Sequence, residues 1–189
     1  MRIIAGKKRG LKLLSPTTDI SRPITDRVKE SLFSVLYKYD MPDGRIVADL
    51  FAGVGSLGLE ALSRNARFVR FVEKDAKIAA VLERNIAKVG FVEESKVVKA
   101  NAFITSVCTG GQLCELVFVD PPYVLSEDVN TDSALGRLLD DLPRQLTDDG
   151  IVVVRTQKRT KLLDEYGRLK VIEKRSWGTM NVNIFGPCK

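Results

Sequence analysis

The segment Asp49-Leu-Phe-Ala-Gly-Val-Gly-Ser-Leu-Gly58 constrains the fold of this chain more than any other. An apolar run over 45–51 leads into Gly53-Val-Gly55-Ser-Leu-Gly58, and a helical pattern over 56–64 follows. Strand, glycine turn and helix in that order open a doubly wound α/β sheet, where the glycines permit a tight turn and close approach of backbone to a ligand at the helix amino end. Glu73 closes the next apolar run, twenty residues after Gly53, where a carboxylate can accept from both ribose hydroxyls of an adenosine. A lone GxGxxG does not distinguish a nicotinamide dinucleotide from S-adenosylmethionine. Asp49 favours the latter, because a carboxylate just ahead of the loop attracts an aminoacyl ammonium and repels a pyrophosphate. The competing role for Asp49 is to order its own loop through backbone amides.

Further along, the pattern keeps alternating, with strands expected over 67–73, 96–99, 115–119 and 151–155 and helices over 26–39, 75–89 and 135–142; extended segments over 169–175 and 181–185 close the chain. Runs such as Leu116-Val-Phe-Val119 and Ile151-Val-Val-Val154 are continuously apolar, as strands are when helices cover both sheet faces. These features predict a mostly parallel, Rossmann-like α/β sheet of seven strands in one domain over 1–189. The core is expected over 26–189, behind a basic hairpin and loop extension over 1–25. With 189 residues the chain is long enough to bury a core without metal or disulfide staples.

Composition removes several kinds of chemistry. There is no histidine, which excludes Ser/His/Asp and Cys/His nucleophilic catalysis and imidazole-based zinc sites. Cys108, Cys114 and Cys188 form no CxxC pair and read as thiols in a reducing compartment. No apolar run approaches the roughly 18 residues of a spanning helix, and no secretory signal opens the chain, so a cytoplasmic, metal-free monomer is expected. The formal charge of +6 is uneven: residues 1–30 carry eight Lys/Arg against three acids, 31–157 fourteen against eighteen, and 158–189 eight against three. Lys7, Lys8, Arg9 and Lys12 sit in a run with no acid, which suggests phosphate contacts; the plain alternative is a solvated tail. Arg22, Thr25 and Arg27 can either clamp phosphate or serve helix capping and surface charge. Tyr166 and Trp177 read as packing residues.

Asp120-Pro-Pro-Tyr123 follows the apolar run ending at Val119, at the sheet edge where such folds bind ligands. Two prolines fix φ and remove two donors, so acceptors project from a rigid turn. An exocyclic base amine suits it: Asp120 and the Pro121 carbonyl can each take one N–H, Tyr123 can stack on the base, and Asp120 can receive the departing proton. The target base would have to be unpaired or flipped out. By itself the turn serves a guanine N2, adenine N6 or cytosine N4 amine, or a glutamine side chain, equally well.

The loop over 49–58, Phe71-Val-Glu-Lys-Asp75 and Asp120-Pro-Pro-Tyr123 together resemble the RsmD family of 16S ribosomal RNA guanine-N2 methyltransferases, as do Arg2-Ile-Ile-Ala-Gly-Lys-Lys-Arg-Gly10, Arg22-Pro-Ile-Thr-Asp-Arg-Val-Lys-Glu-Ser-Leu-Phe33 and Gly58-Leu-Glu-Ala-Leu-Ser-Arg64. The resemblance implies a class I methyltransferase fold and methyl transfer from S-adenosylmethionine to the N2 of one guanine of 16S rRNA in a partly assembled small subunit. It further implies a cofactor set of Asp49, Phe51, Gly53, Gly55, Glu73, Lys74, Asn101 and Ala102, catalytic Asp120, Pro121 and Tyr123, and RNA contacts by Lys7, Lys8, Arg9, Lys12, Arg22 and Arg27. Three departures stand out: Asn101 replaces an acid expected on the adenine amine, Lys29 replaces an arginine beside Ile24 for threonine, and Thr179 stands where an acid is common. The rival readings are an NAD-dependent oxidoreductase, an adenine-N6 amino-methyltransferase acting on RNA or DNA, and a catalytically silent RNA-binding assembly factor.

Overall fold

The computed structural model describes residues 1–15, 24–107 and 111–188. Eight strands, β1 (Ile46–Leu50), β2 (Phe68–Glu73), β3 (Ser95–Lys99), β4 (Cys114–Val119), β5 (Leu146–Gln157), β6 (Glu165–Tyr166), β7 (Leu169–Trp177) and β8 (Met180–Pro187), form one sheet. Their order is β3-β2-β1-β4-β5-β8-β7-β6; β1 to β5 are mutually parallel, and β8 lies antiparallel between β5 and β7. Helices α1 (Asp26–Leu36), α2 (Ser56–Ser63), α3 (Ala76–Val89) and α4 (Ala134–Asp141) cover it. The Rossmann-like α/β class read from the sequence is the one observed.

Alternate strand residues serve opposite faces. Val47, Val69, Phe71, Leu116, Phe118 and Val153 pack with Leu32 and Phe33 of α1, Leu59 and Leu62 of α2, and Leu82 and Ile86 of α3. Ile46, Ala48, Leu50, Val117, Val119 and Val152 pack with Leu135, Leu138 and Leu139 of α4. Both faces being covered, every β1 residue is buried, and the strand reads as a continuous rather than alternating apolar run.

Two details differ from expectation. The sheet has an eighth strand, β6, which pairs with β7 through Glu165↔Lys170 and Tyr166↔Leu169. Two residues are too few to show a period, and the tight turn at Gly167, with φ of +52°, is what adds them to the edge. The amino-terminal arm is a short hairpin: the antiparallel bridge Arg2↔Lys12 and the bonds from Ile3 N–H to Leu11, Gly10 N–H to Ile3 and Leu13 N–H to Met1 join its sides, and its tip, Gly6–Lys8, is a 3-10 turn. At and just before the tip, donors turn to α2. Ile4 N–H and Ala5 N–H reach the Glu60 carboxylate at 2.8 and 3.0 Å, and Lys8 N–H reaches Ser63 Oγ at 3.0 Å. Gly6 is required there, since a Cβ would lie 1.8 Å from the Ser63 carbonyl oxygen. Ile3 and Leu13 of this arm are buried members of the core.

The order reverses between β1 and β4, whose neighbours lie on opposite sides. A crevice opens at such a switch point, beyond the carboxyl ends of the strands.

Candidate active site

Register brings the sequence-predicted residues to that crevice. Leu50 is level with Val119 and Val119 with Val154, so the next residue on each strand, Phe51, Asp120 and Arg155, lines the same rim. Glu73 ends β2, level with Lys99, and Asn101 follows β3 by two residues.

Asp49 is 2% exposed, and its Oδ2 accepts Gly58 N–H at 2.8 Å. This bond orders the loop, as the competing reading held, yet it uses one oxygen of a carboxylate buried near two other acids. Burial pushes the Asp49 carboxyl well above the usual carboxylate range; the Gly58 bond and Arg155 oppose this, while the charges of Asp120 and Glu73 add to it. Such a group gains from a cation delivered by a ligand. The loop is shaped around it: a Cβ on Gly58 would lie 2.2 Å from Phe71, so α2 packs directly on β2, whereas Gly53, with φ of +55°, faces open space. Glu73 accepts Gly53 N–H at 2.9 Å and Asp75 N–H at 2.8 Å, one per oxygen, leaving one further acceptor site on each.

Phe51 adopts a left-handed φ of 62° and meets Phe103 edge-on, centroids 5.0 Å apart. A bulky residue in that region is strained and signals an imposed orientation. Asn101 Oδ1 accepts Phe103 N–H at 3.1 Å, so this amide helps hold the Phe103 turn. Ala102 is buried and Lys74 is exposed. An open glycine loop, a cation-seeking carboxylate, a half-satisfied Glu73 and two aromatic rings fit the aminoacyl, ribose and base portions of S-adenosylmethionine.

The Asp120-Pro-Pro-Tyr123 turn holds a feature that sequence reasoning missed. Arg155 of β5 donates from Nε to Asp120 Oδ1 and from Nη2 to Asp120 Oδ2, both at 2.6 Å. Burial alone would lower the Arg155 pKa, but the Asp120 charge and hydrogen bonds reverse this and hold it above its ordinary value. Arg155 Nη1 and Tyr123 Oη are buried without a partner among the described residues. The Pro122 carbonyl accepts Leu125 N–H at 2.8 Å, whereas that of Pro121 takes no bond among the described residues. The missed signal was legible: Arg155 is the cation that ends an apolar run.

The predicted RNA contacts among the described residues lie on the amino-terminal arm and at the start of α1 rather than on the strand ends. Lys7, Arg9 and Lys12 of the arm and Arg27 of α1 are exposed, and among the described residues none of them forms an ion pair. Lys8 is half-buried, with Nζ 5.7 Å from the Phe91 ring centroid. The arm's tip rests at Ser63, the far end of α2 from the glycine loop, on the order of 10 Å away at 1.5 Å per residue. Thr25 caps α1 through Val28 N–H at 3.4 Å, as the plainer alternative held. Arg22 and Cys108 lie outside the described residues. Several cations of the basic carboxyl-terminal region are locally paired, Lys170 with Glu165, Lys174 with Asp164 and Arg175 with Glu173. Lys29 is buried, its Nζ bonded to the Arg2 carbonyl at 2.7 Å and 3.3 Å from Glu60, so a compact ammonium rather than an arginine fork suits the space. Tyr166 is fully buried and packs edge-on against Phe185.

Among the described residues no group of three or more His, Cys, Asp or Glu could hold a metal ion, and no helix is long and apolar enough to cross a membrane. A family described as "Conserved hypothetical protein 95" matches residues 1–186. YlbH of Bacillus subtilis (strain 168) is 32% identical over 187 residues, 98% of each chain. "Ribosomal RNA small subunit methyltransferase D" of Escherichia coli (strain K12) is 40% identical over 146 residues, 75% of this chain and 71% of its own length. The solved structure of yhhF from Escherichia coli superposes with a TM-score of 0.81 at 31% identity, covering 99% of this chain and 97% of its own.

Proposed function

This chain belongs to the RsmD family, and from that premise we propose that it methylates the exocyclic N2 of a guanine in small-subunit (16S) rRNA, using S-adenosylmethionine. The observation that carries the reading is the juxtaposition, across β1 and β4, of a buried carboxylate in need of a cation with a rigid set of amine acceptors.

S-adenosylmethionine supplies a methyl group activated on a sulfonium. Everything else is positioning and electrostatics from this chain's own residues. Asp49 takes the ammonium, Glu73 the ribose hydroxyls, and Gly53 and Gly55 let the backbone approach. Phe51, Asn101 and Ala102 flank the adenine, with Lys74 at its outer side. The Asn101 amide accepts the adenine amine without the charge assistance of an acid.

On the substrate side, Asp120 and the Pro121 carbonyl accept the two N2 hydrogens. This draws the lone pair, otherwise delocalised into the ring, toward the methyl donor, while Tyr123 packs on the base. With both oxygens held in the Arg155 fork, Asp120 is an orienting acceptor first, and the proton lost from N2 leaves to water. A paired base cannot enter, so the target is flipped or unpaired. Lys7, Lys8, Arg9 and Lys12, with Arg22 and Arg27, hold phosphates without reading sequence. The protein acts as a monomer of one domain, in the cytoplasm, on a partly assembled small subunit, without metal.

The test is transfer of labelled methyl from S-adenosylmethionine to small-subunit rRNA, free and in undermethylated particles, with nucleoside analysis. Label in N2-methylguanosine is expected. Label in N6-methyladenosine would replace the base assignment, and absence of label despite cofactor binding would favour a silent assembly factor.

A further inference from the structure

Arg70 of β2 is 3% exposed, and among the described residues it forms no ion pair. Its Nη2 donates to Gln112 Oε1 at 2.7 Å, its Nη1 reaches the Gln112 carbonyl at 3.4 Å and Cys114 Sγ at 3.7 Å, and its Nε is buried without a partner among the described residues. The Phe68 ring, with its centroid 5.7 Å from the guanidinium carbon, attracts the cation but carries no net charge. A guanidinium taken out of water and met only by neutral groups lacks a counter-charge.

Arg70 lines a pocket of about 370 Å³ together with Arg67, Phe68, Lys96 and Gln112. Register explains the grouping. Arg70 is level with Lys96 of β3, so both side chains leave the sheet on the face that carries Val72 and α4. Arg67, just ahead of β2, and Lys96 are exposed, and neither forms an ion pair among the described residues. None of the five lining residues is an acid, and the adjoining 108–110 are Cys, Thr and Gly. Glu115, the acid of β4, is already held by Arg45 Nη1 and Ile46 N–H, both at 2.8 Å. Gln112 gives its side-chain oxygen to Arg70, which leaves its amide hydrogens as donors.

Three cations and an amide around one pocket exceed what a carboxylate, with two oxygens and one charge, can satisfy. A phosphate group has more oxygens and up to two charges. We propose that this pocket binds a phosphate group, with Arg70 as a fixed buried charge in its wall and Arg67, Lys96 and Gln112 donating to the phosphate oxygens from the rim. The group can come from an RNA backbone or from a small phosphate-bearing molecule. The site is distinct from the crevice, since Arg70 precedes Glu73 by three residues, on the order of 10 Å along the strand toward its amino end. It is distinct from the amino-terminal arm as well, whose Ile3 and Leu13 pack on the opposite face.

The full chain, labelled with ¹⁵N, is titrated with inorganic phosphate and, separately, with chloride at equal ionic strength, and read at the Nε–H groups of Arg67 and Arg70 and the side-chain amide of Gln112. A saturable shift is expected with phosphate and not with chloride. Arg70→Met, which keeps most of the packing stem and removes the charge, should weaken phosphate binding by on the order of 10–100-fold, the range of hydrogen bonds to a charged group. Shifts that are the same in both salts, or phosphate binding unchanged in Arg70→Met, would overturn the site. Should Arg70→Met not fold, the double variant Arg67→Gln with Lys96→Gln, at two exposed positions, decides in its place, and phosphate affinity retained there overturns the site. The same double variant identifies the source. A salt slope for small-subunit rRNA binding reduced by about 2 assigns the phosphate to the RNA backbone. An unchanged slope, with inorganic phosphate binding lost, assigns it to a small phosphate-bearing molecule. These readouts are of binding alone, so their failure is separate from any failure of methyl transfer.

Discussion

Two buried ionic clusters flank α2, and they differ in whether their charges are closed. At one, Glu60, fully buried, accepts from Arg64 Nε at 2.8 Å and from the Ile4 and Ala5 amides, and lies 3.3 Å from Lys29 Nζ. Arg64 spends its other nitrogens on Tyr37 Oη and Glu30, both at 3.1 Å, and stacks over Phe33. No polar side-chain atom of Lys29, Glu60 or Arg64 is buried without a partner among the described residues. At the other, the buried Asp49 carries the charges of Asp120 and Glu73 beside it and is opposed by Arg155, whose fork is already spent on Asp120, and Arg155 Nη1 and Tyr123 Oη have no partner among the described residues. The closed cluster fastens the amino-terminal arm to the core; the open one retains capacity for charges and donors that a ligand brings. Unpartnered buried groups are uncommon in folds, and two of the four among the described residues, Arg155 Nη1 and Tyr123 Oη, belong to the switch-point cluster, where a ligand can meet them.

The comparison breaks most visibly at its closed member. Glu60→Ala leaves Lys29 and Arg64 buried without their carboxylate and should cost about 3–5 kcal/mol of stability, read by urea unfolding; a loss under about 1 kcal/mol would show the cluster to be ornamental. Asp120→Ala should act the other way, cutting methyl transfer by about 10²–10³-fold with RNA binding nearly intact. Equal turnover would remove Asp120 from the chemistry. Asp49→Asn should weaken cofactor binding by on the order of 10–100-fold, the range of a hydrogen bond to a charged group, and should stabilise the free protein near neutral pH. The sign follows from proton counts: folded Asp49 holds its proton to a higher pH than unfolded Asp49, so between the two pKa values stability falls as pH rises, and the variant lacks that fall. The smallest effect per residue is expected on the arm, where neutralising Lys7, Lys8 and Arg9 together should weaken RNA binding and flatten its salt dependence by about 2–3 in slope. An unchanged slope would take the arm out of the RNA interface.

The open cluster was largely legible in the sequence and the closed one was not. Asp49, Gly53, Glu73 and Asp120 stand at loop and strand-end positions whose spacing follows from chain connectivity, so local pattern locates them. Arg155 needs the β4 and β5 register, a long-range fact, although a cation ending an apolar run hinted at it. Glu60 and Lys29 carry no local sign of their pairing, which forms where the arm's Ile4, Ala5 and Arg2 backbone groups meet α1 and α2. The two-residue strand β6 carries no period to read, and the docking of the arm's tip on α2 through Glu60 and Ser63 is a long-range contact no local pattern announces.

The central claim, that the open cluster awaits a cation, is tested most directly by calorimetry of S-adenosylmethionine binding in buffers of different ionisation enthalpy, from neutral pH downward, for wild type and Asp49→Asn. Wild type should release a proton on binding, increasingly so as the pH falls and more of the free protein carries a protonated Asp49, while Asp49→Asn should bind more weakly and release none from this site. Tight binding by wild type with no proton release across that range, or release undiminished in Asp49→Asn, would contradict the account.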